Sequence, residues 1–579
     1  MIGASRVSKT FAPGQASSVT QLWVRARLWF GTGSPASTFV FSLLLYVFLS
    51  LITVSTFLAD TVDYAASIVA RFQGRYYEFW EFGHILWRPM GWAITRSIEI
   101  LSPDWVKTDA ANYHVILTLI AVSWLAGFAT LCLFHRLAYF VTNDVWYASL
   151  STVGFAAAQA FLNFVQAGTA YIAGLAMLML AIDILYICDD PVRADRTSAW
   201  GGIALAGAVL FWFPYVLVVP AVVFIPLVLR RALRSSLVAG LSFAVAVGLV
   251  YLAVIVGLGL HSRAEILAWV REASHGIQIG GVSRAVFGFA RSFINMGEDG
   301  VLFKRYLLHD PFSPVSVAAL LRAALAKLAF FYVLLASVVA TLVIARRWLL
   351  LGLLTIASTP VLLFAVRWQG GDLERYLPLY PFLFLAIAIC LSERPQRFQR
   401  LLTVTFIATM ALVNIFALSR HANKLQEEEI ARRASDISPS LLNAAGVIYV
   451  THQGDKFSNM ARSFPLAPFN RHRSFHVLMI IETGHKDLPM WKATFSRTAL
   501  TAWERHGNVW VSRRVFSPLP KSEWNWVEHD DPRISWRDLS PFFSRLEYEQ
   551  CVGGSDGFCL LAPSTANREF LASSTLPPT

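Results

Sequence analysis

Asp60-Thr-Val-Asp63-Tyr64 places two carboxylates three residues apart, directly after a long apolar run. A carboxylate there can take a proton from a hydroxyl as a general base, or it can hold a divalent cation. Asp is also favoured as a helix cap, so the cluster can equally serve local structure. A second cluster is Gly83-His84-Ile85-Leu86-Trp87-Arg88-Pro89. His84 can titrate near neutral pH or donate to a phosphate oxygen, and Arg88 can grip phosphate bidentately. The same residue types also anchor chains at lipid headgroup level. A third cluster, Gly370-Gly371-Asp372-Leu373-Glu374-Arg375-Tyr376-Leu377-Pro378, opens a later apolar run. Arg375 at its mouth can bind a phosphate, with Asp372 or Glu374 orienting it by pairing. Gln166, Tyr171, Asp372, Glu374 and Tyr376 are the candidate substrate contacts. Arg284, Arg291 and Lys304-Arg305 are weaker phosphate candidates.

The elements that must position these groups are membrane spans. The chain has 579 residues, of which 56% are hydrophobic and only 15% charged, with mean hydropathy +0.52. A single soluble core does not grow this large and this apolar. The apolar residues fall in runs long enough to cross a hydrocarbon core, which takes about 20 residues of helix. Spans are expected near 38–58, 114–134, 146–163, 169–188, 199–214, 215–230, 236–259, 326–344, 348–366, 376–392 and 401–418. The fifth and sixth meet at the tight Trp212-Phe213-Pro214-Tyr215 turn. With the N-terminus in the cytoplasm, the basic short loops at His135-Arg136, Arg193/Arg196, Arg230-Arg231/Arg234, Arg346-Arg347 and Arg394/Arg397/Arg400 all fall inside, as the positive-inside rule requires. An odd number of spans then puts the C-terminal segment outside. The net charge of +12 reflects this orientation rather than nucleic-acid binding, because the basic residues are scattered and form no stripe.

The expected organisation is a cytoplasmic segment 1–37, a transmembrane domain 38–418 with long outer loops 59–113 and 260–325, and an extracytoplasmic domain 419–579. In the first outer loop Tyr64, Ile68, Phe72 and Tyr76 repeat at helical spacing, as do Met90, Ile94, Ile98 and Leu101, predicting helices that lie in the interface. The second loop has an amphipathic piece at Val282–Phe293. In the tail, Val447–Val450, Val477–Ile481 and Val509–Val511 read as strands of a small α/β domain. Cys132, Cys188 and Cys390 sit in or beside apolar runs as small hydrophobes. Cys551 and Cys559 flank a polar loop in the tail, a spacing that suits a disulfide outside the cytoplasm.

Polar residues gather at the outer ends of the spans, while the span centres are almost free of charge. That pattern favours a site at the outer membrane–water boundary over a transporter's midplane site. No Walker-type phosphate loop, His-Glu-x-x-His pattern or Gly-x-Ser-x-Gly elbow is present, so neither cytosolic ATP nor a soluble hydrolase site has support.

The order of these motifs resembles the GT-C superfamily of integral-membrane glycosyltransferases, particularly bacterial protein mannosyltransferase-like and aminoarabinose-transferase-like members. The resemblance covers about 38–418. It rests on Asp60–Tyr64 opening the first outer loop, His84 to Pro89 following it, about eleven transmembrane helices, and Arg375-Tyr-Leu-Pro378 opening a late span. It implies a mainly α, polytopic bacterial plasma-membrane protein. It also implies inverting transfer of a sugar from a polyprenyl-phosphate donor to a glycan, lipid or protein acceptor. Asp60 is the expected base, with Asp63 the alternative or a ligand to metal or acceptor. Arg375, supported by Arg88 and His84, is expected on the donor phosphate. No cofactor is identified beyond a divalent metal ion that the first-loop acids can hold. The family often shows paired acids or an acidic second loop, whereas the second long loop here offers Glu298-Asp299 with no recognisable pattern. The alternatives are a transporter or flippase of lipid-linked sugars, an envelope polymer ligase or polymerase, and a scaffold whose outer domain binds a partner.

Overall fold

A computed structural model describes residues 35–55, 59–72, 79–103, 105–106, 111–187, 194–272, 281–297, 302, 315–393, 397–422, 424, 447–451, 476–479, 491–504, 506–516, 536–552 and 558–574. The expectations that rest on Tyr76, Cys188, Arg193, Glu298-Asp299, Lys304-Arg305 and Arg394 lie outside these residues.

Among the described residues, six helices are long and apolar enough to cross a membrane: Ala111–Thr142, Leu233–Gly257, Val317–Ile344, Trp348–Arg367, Glu374–Ser392 and Arg397–Ala417. Ala36–Ile52, Ala170–Tyr186 and Phe213–Leu229 are shorter apolar helical stretches. The other two expected spans are also helical, as Val145–Ala157 continued by Gln159–Phe164, and as Ala194–Phe211. The molecule is therefore a polytopic helical membrane protein.

Several boundaries differ from expectation, each for a physical reason. The first helix, Pro35–Ile52, stops short of residue 58, because Val54 N turns to donate to Leu418 O at the end of the last span. The third expected span is broken at Ala158, whose backbone is extended (φ −65°, ψ 139°). No Gly or Pro lies at that point to announce it. The break is held instead by Asn414 from the Arg397–Ala417 helix. Its Nδ2 donates to Ala157 O and Phe293 O, both at 2.7 Å, and its Oδ1 accepts from Asn295 N, also at 2.7 Å. A fully buried side chain thus satisfies three backbone groups that the helix ends leave open.

The amphipathic helices expected in the two long loops form. In Ala59–Phe72, Tyr64 and Ile68 are buried with Val115, Leu119 and Ala170, at the ends of the Ala111–Thr142 and Ala170–Ile187 helices. In Trp87–Leu101 the buried face is Trp87, Gly91 and Thr95, one step round from the expected Met90, Ile94, Ile98 and Leu101 stripe. Leu101 is exposed. Gly91 decides the rotation: a Cβ there would sit 2.7 Å from both Ile68 and Leu119, so the helix approaches through its smallest residue. Val282–Phe293 buries Ala285, Phe287, Gly288, Phe289, Ala290, Ser292 and Phe293. It packs so closely on the Gly370-Gly371 segment that a Cβ on Gly288 would collide with Gly370 O. The two glycines of the third motif are thus a place where backbones touch.

In the C-terminal segment, β1 (Val447–Thr451), β2 (His476–Met479), β3 (Asn508–Ser512), β4 (Tyr548–Val552) and β5 (Phe558–Leu561) form one sheet in the order β2-β1-β3-β5-β4. β1 runs parallel to β2 and β3, and β5 antiparallel to β3 and β4. The three strands read from sequence are present, joined by β4 and β5. Cys551 and Cys559 face each other across β4 and β5 and are joined by a disulfide. Cys390 is buried, whereas Cys132 is only half-buried.

Candidate functional site

One cavity of about 870 Å³ receives all three sequence clusters. Asp60, Asp63 and Tyr64 reach it from the Ala59–Phe72 helix, Glu81 and His84 from the following turn, and Arg88 from the start of the Trp87–Leu101 helix. Asp372, Glu374 and Arg375 enter from the turn that opens the Glu374–Ser392 span. Among the described residues the lining holds five carboxylates (Asp60, Asp63, Glu81, Asp372, Glu374) and four arginines (Arg88, Arg291, Arg367, Arg375). The charges nearly balance, so what the site selects depends on where each charge stands.

Asp60 is held by Tyr171, whose hydroxyl donates to Asp60 Oδ2 at 2.6 Å. Tyr171 is fixed in turn by ring contacts with Phe164 at 4.9 Å and Trp212 at 4.8 Å. Trp212 also lies 5.9 Å from the Arg375 guanidinium. A short relay of packed rings therefore links the carboxylate to the arginine across the cavity wall. Asp63, on the same helix, is exposed.

Arg375 is only 8% exposed. Its guanidinium stacks on Trp368 at 4.3 Å, a cation–π contact, and Nη2 donates to Gln369 Oε1. Glu374 Oε1 lies 3.8 Å from Nε and Asp372 Oδ2 lies 3.9 Å from Nη2. Nε itself is buried without a hydrogen-bond partner. A buried guanidinium with donor capacity left over is suited to receive an oxyanion. The turn carrying it is fastened to the Val282–Phe293 helix. Tyr376 Oη shares its one proton between Ala285 O at 2.8 Å and Gly370 O at 2.7 Å, Ser292 Oγ donates to Leu373 O at 2.9 Å, and Arg291 Nη1 to Gly371 O at 3.1 Å.

The second cluster is arranged differently from its sequence reading. Arg88 is paired with Glu81 at 3.0 Å and stacked on Tyr64 at 5.3 Å, so its charge is already balanced. His84 Nδ1 lies 3.3 Å from Phe211 O. A carbonyl only accepts, so Nδ1 carries the proton and the neutral ring offers Nε2 as an acceptor. That suits a hydroxyl better than a phosphate oxygen. Burial lowers the His84 pKa below 6.5 and Arg88 adds to this, while Glu81 and Asp60 oppose it. The unfolded chain thus binds a proton more readily than the folded one below about pH 6.5, and stability falls as pH drops through that range. Thermal unfolding of the purified protein between pH 7.5 and 5 is expected to show this acid-side loss, and His84→Gln is expected to flatten it. An unchanged acid slope in the variant would show that folding does not lower the His84 pKa.

Two expected substrate contacts are engaged elsewhere. Tyr376 is fully buried as the strut just described. Gln166 donates from Nε2 to Thr53 Oγ1 at 3.0 Å, where it ties the first helix to the Phe164–Thr169 turn. Neither lines the cavity, and both act as fasteners. Nor does Arg284 line it, whereas Arg291 does. Among the described residues no three His, Cys, Asp or Glu side chains gather into a cation site.

Sequence reasoning missed Glu81, Gln159, Trp212, Arg367, Trp368 and Gln369, all of which line the cavity. Arg367-Trp368-Gln369 directly precedes the third motif, and Trp212 belongs to the turn already singled out, so proximity was the available signal. Glu81 is set by tertiary contacts. Tyr251 Oη donates to Phe82 O and Trp269 Nε1 to Trp80 O, both at 2.9 Å, pinning the backbone on either side of it.

These helices and amphipathic pieces, with the polar cavity among them, make a polytopic helical membrane fold. The crystal structure of ArnT from Cupriavidus metallidurans bound to undecaprenyl phosphate has this fold: it aligns with a TM-score of 0.51 at 12% identity, covering 96% of this chain and 99% of that one. No protein-family model matches the sequence, and no curated protein matches it.

Proposed function

We propose that this protein is a membrane glycosyltransferase that moves a sugar from a polyprenyl-phosphate donor to an envelope acceptor at the outer face of the membrane. The observation that carries this reading is that Asp60 and Arg375, from opposite ends of the membrane domain, line one cavity. In the reaction, Asp60 takes the proton of the acceptor hydroxyl while that oxygen attacks the anomeric carbon from the face opposite the phosphate. The bond from the anomeric carbon to the phosphate oxygen breaks, and its electron pair leaves on the phosphate. Arg375, held flat on Trp368, faces the charge that develops there. The configuration at the anomeric carbon inverts. The likeness to a structure that holds undecaprenyl phosphate supports a polyprenyl-linked donor.

The orientation belongs to the same proposal: N-terminus cytoplasmic, C-terminal domain outside. The Cys551–Cys559 disulfide supports an oxidising surround for that domain. The test is a reconstituted assay with sugar-labelled polyprenyl-phosphate donors and an envelope extract as acceptor. Label moving from the lipid into acceptor, with release of polyprenyl phosphate, supports transfer. Intact lipid-linked sugar crossing the vesicle bilayer, with no bond cleaved, would mean a flippase instead.

A further inference from the structure

Gln159 follows the break at Ala158 and opens the short Gln159–Phe164 helix. The residue lines the cavity and is 5% exposed, yet its carboxamide oxygen has no hydrogen-bond partner in the protein. Buried polar groups are normally satisfied, and one left open at a cavity wall calls for a partner from outside the chain. The interruption that puts it there is expensive to build. An otherwise continuous span is interrupted at Ala158, and Asn414 is spent on the backbone groups left open around the break. The short helix packs against the Glu374–Leu379 turn, and Gln159 and Arg375 both line the cavity.

We propose that Gln159 recognises a ring hydroxyl of the sugar whose phosphate Arg375 holds. This rests on the sugar-transfer reading and adds the contact by which the site distinguishes a glycosylated lipid from the bare lipid phosphate. The carboxamide has both a carbonyl and an amino group, so either way round it can serve a hydroxyl. An apolar or deoxygenated group at that point would leave it unsatisfied. The sugar is chosen over the acceptor because the helix that Gln159 opens packs on the phosphate-binding turn, whereas Asp60 reaches the cavity from the Ala59–Phe72 helix.

The full-length protein in nanodiscs is titrated with sugar-free undecaprenyl phosphate and with undecaprenyl phosphate linked to glucose, mannose, galactose or arabinose. Quenching of cavity tryptophan fluorescence reads binding. At least one sugar-linked lipid is expected to bind the wild type more tightly than the bare lipid phosphate. Gln159→Met, of similar length, is expected to lose about five- to tenfold toward that lipid and nothing toward undecaprenyl phosphate. Gln159→Glu, which keeps an acceptor oxygen, is expected to retain most of the preference. On the wild type alone, one monodeoxy form of the preferred sugar should cost the same factor, with no further loss in Gln159→Met. Equal weakening of both kinds of lipid, or no wild-type preference for any sugar, overturns the assignment. Failure of the wild type to bind undecaprenyl phosphate at all overturns the donor reading itself, and the sugar contact falls with it.

Discussion

Asp60→Asn is expected to leave the protein folded and to lower sugar transfer by about 10²–10⁴-fold, the contribution of a positioned general base. The amide keeps the size of the carboxylate, and its carbonyl oxygen can still accept the Tyr171 hydroxyl that holds Asp60 at 2.6 Å. What it loses is the ability to take a proton from the acceptor. The loss should therefore appear in kcat, with donor affinity and thermal stability close to wild type. Asp63→Asn, three residues along the same helix but exposed, is the internal control and should cost much less. Equal activity in Asp60→Asn and wild type would remove Asp60 from the chemistry. A larger loss in Asp63→Asn would move the base to that residue.

Arg375→Ala is expected to weaken binding of the lipid phosphate roughly ten- to hundredfold, the worth of one charge-assisted hydrogen-bonded contact. The side chain is almost wholly buried, so its removal also leaves Asp372 and Glu374 without the cation beside them. A general loss of stability could then masquerade as a binding defect. The comparison that separates the two is undecaprenyl phosphate against uncharged undecaprenol. If Arg375 holds the phosphate, the wild type prefers the charged lipid and the variant loses that preference, whatever happens to its melting temperature. Arg375→Lys should fall between them, because the ammonium keeps the charge but not the planar fork that lies on Trp368. A preference for phosphate undiminished in Arg375→Ala would hand the role to Arg291 or Arg367, which line the same cavity.

Much of the membrane domain was legible because a bilayer leaves a chain few choices. Backbone groups within hydrocarbon must be paired internally, so long apolar runs become helices, and each expected span coincides with a helical stretch. The Val282–Phe293 helix was legible for a related reason: its apolar side is continuous enough to demand burial. The outer-loop pattern at Met90, Ile94 and Ile98 misled by one step because periodicity weighs side-chain polarity. The packing there turned on size, with Gly91 allowing the closest approach.

The sequence by itself determined the helical membrane architecture, three of the five described strands of the tail, the Cys551–Cys559 pairing and the three polar clusters at the span ends. It could do so because hydrophobic length, alternation and short-range spacing are local properties of the chain. Only the tertiary structure decided that the three clusters share one cavity, that Arg88 is already spent on Glu81, that Tyr376 and Gln166 are fasteners, and that Gln159 faces the site. Each of these depends on a partner far away in the chain, such as Asn414 holding open the helix at Ala157 or Trp212 spanning from Tyr171 to Arg375. Such contacts are set by how helices pack, which no window of neighbouring residues contains.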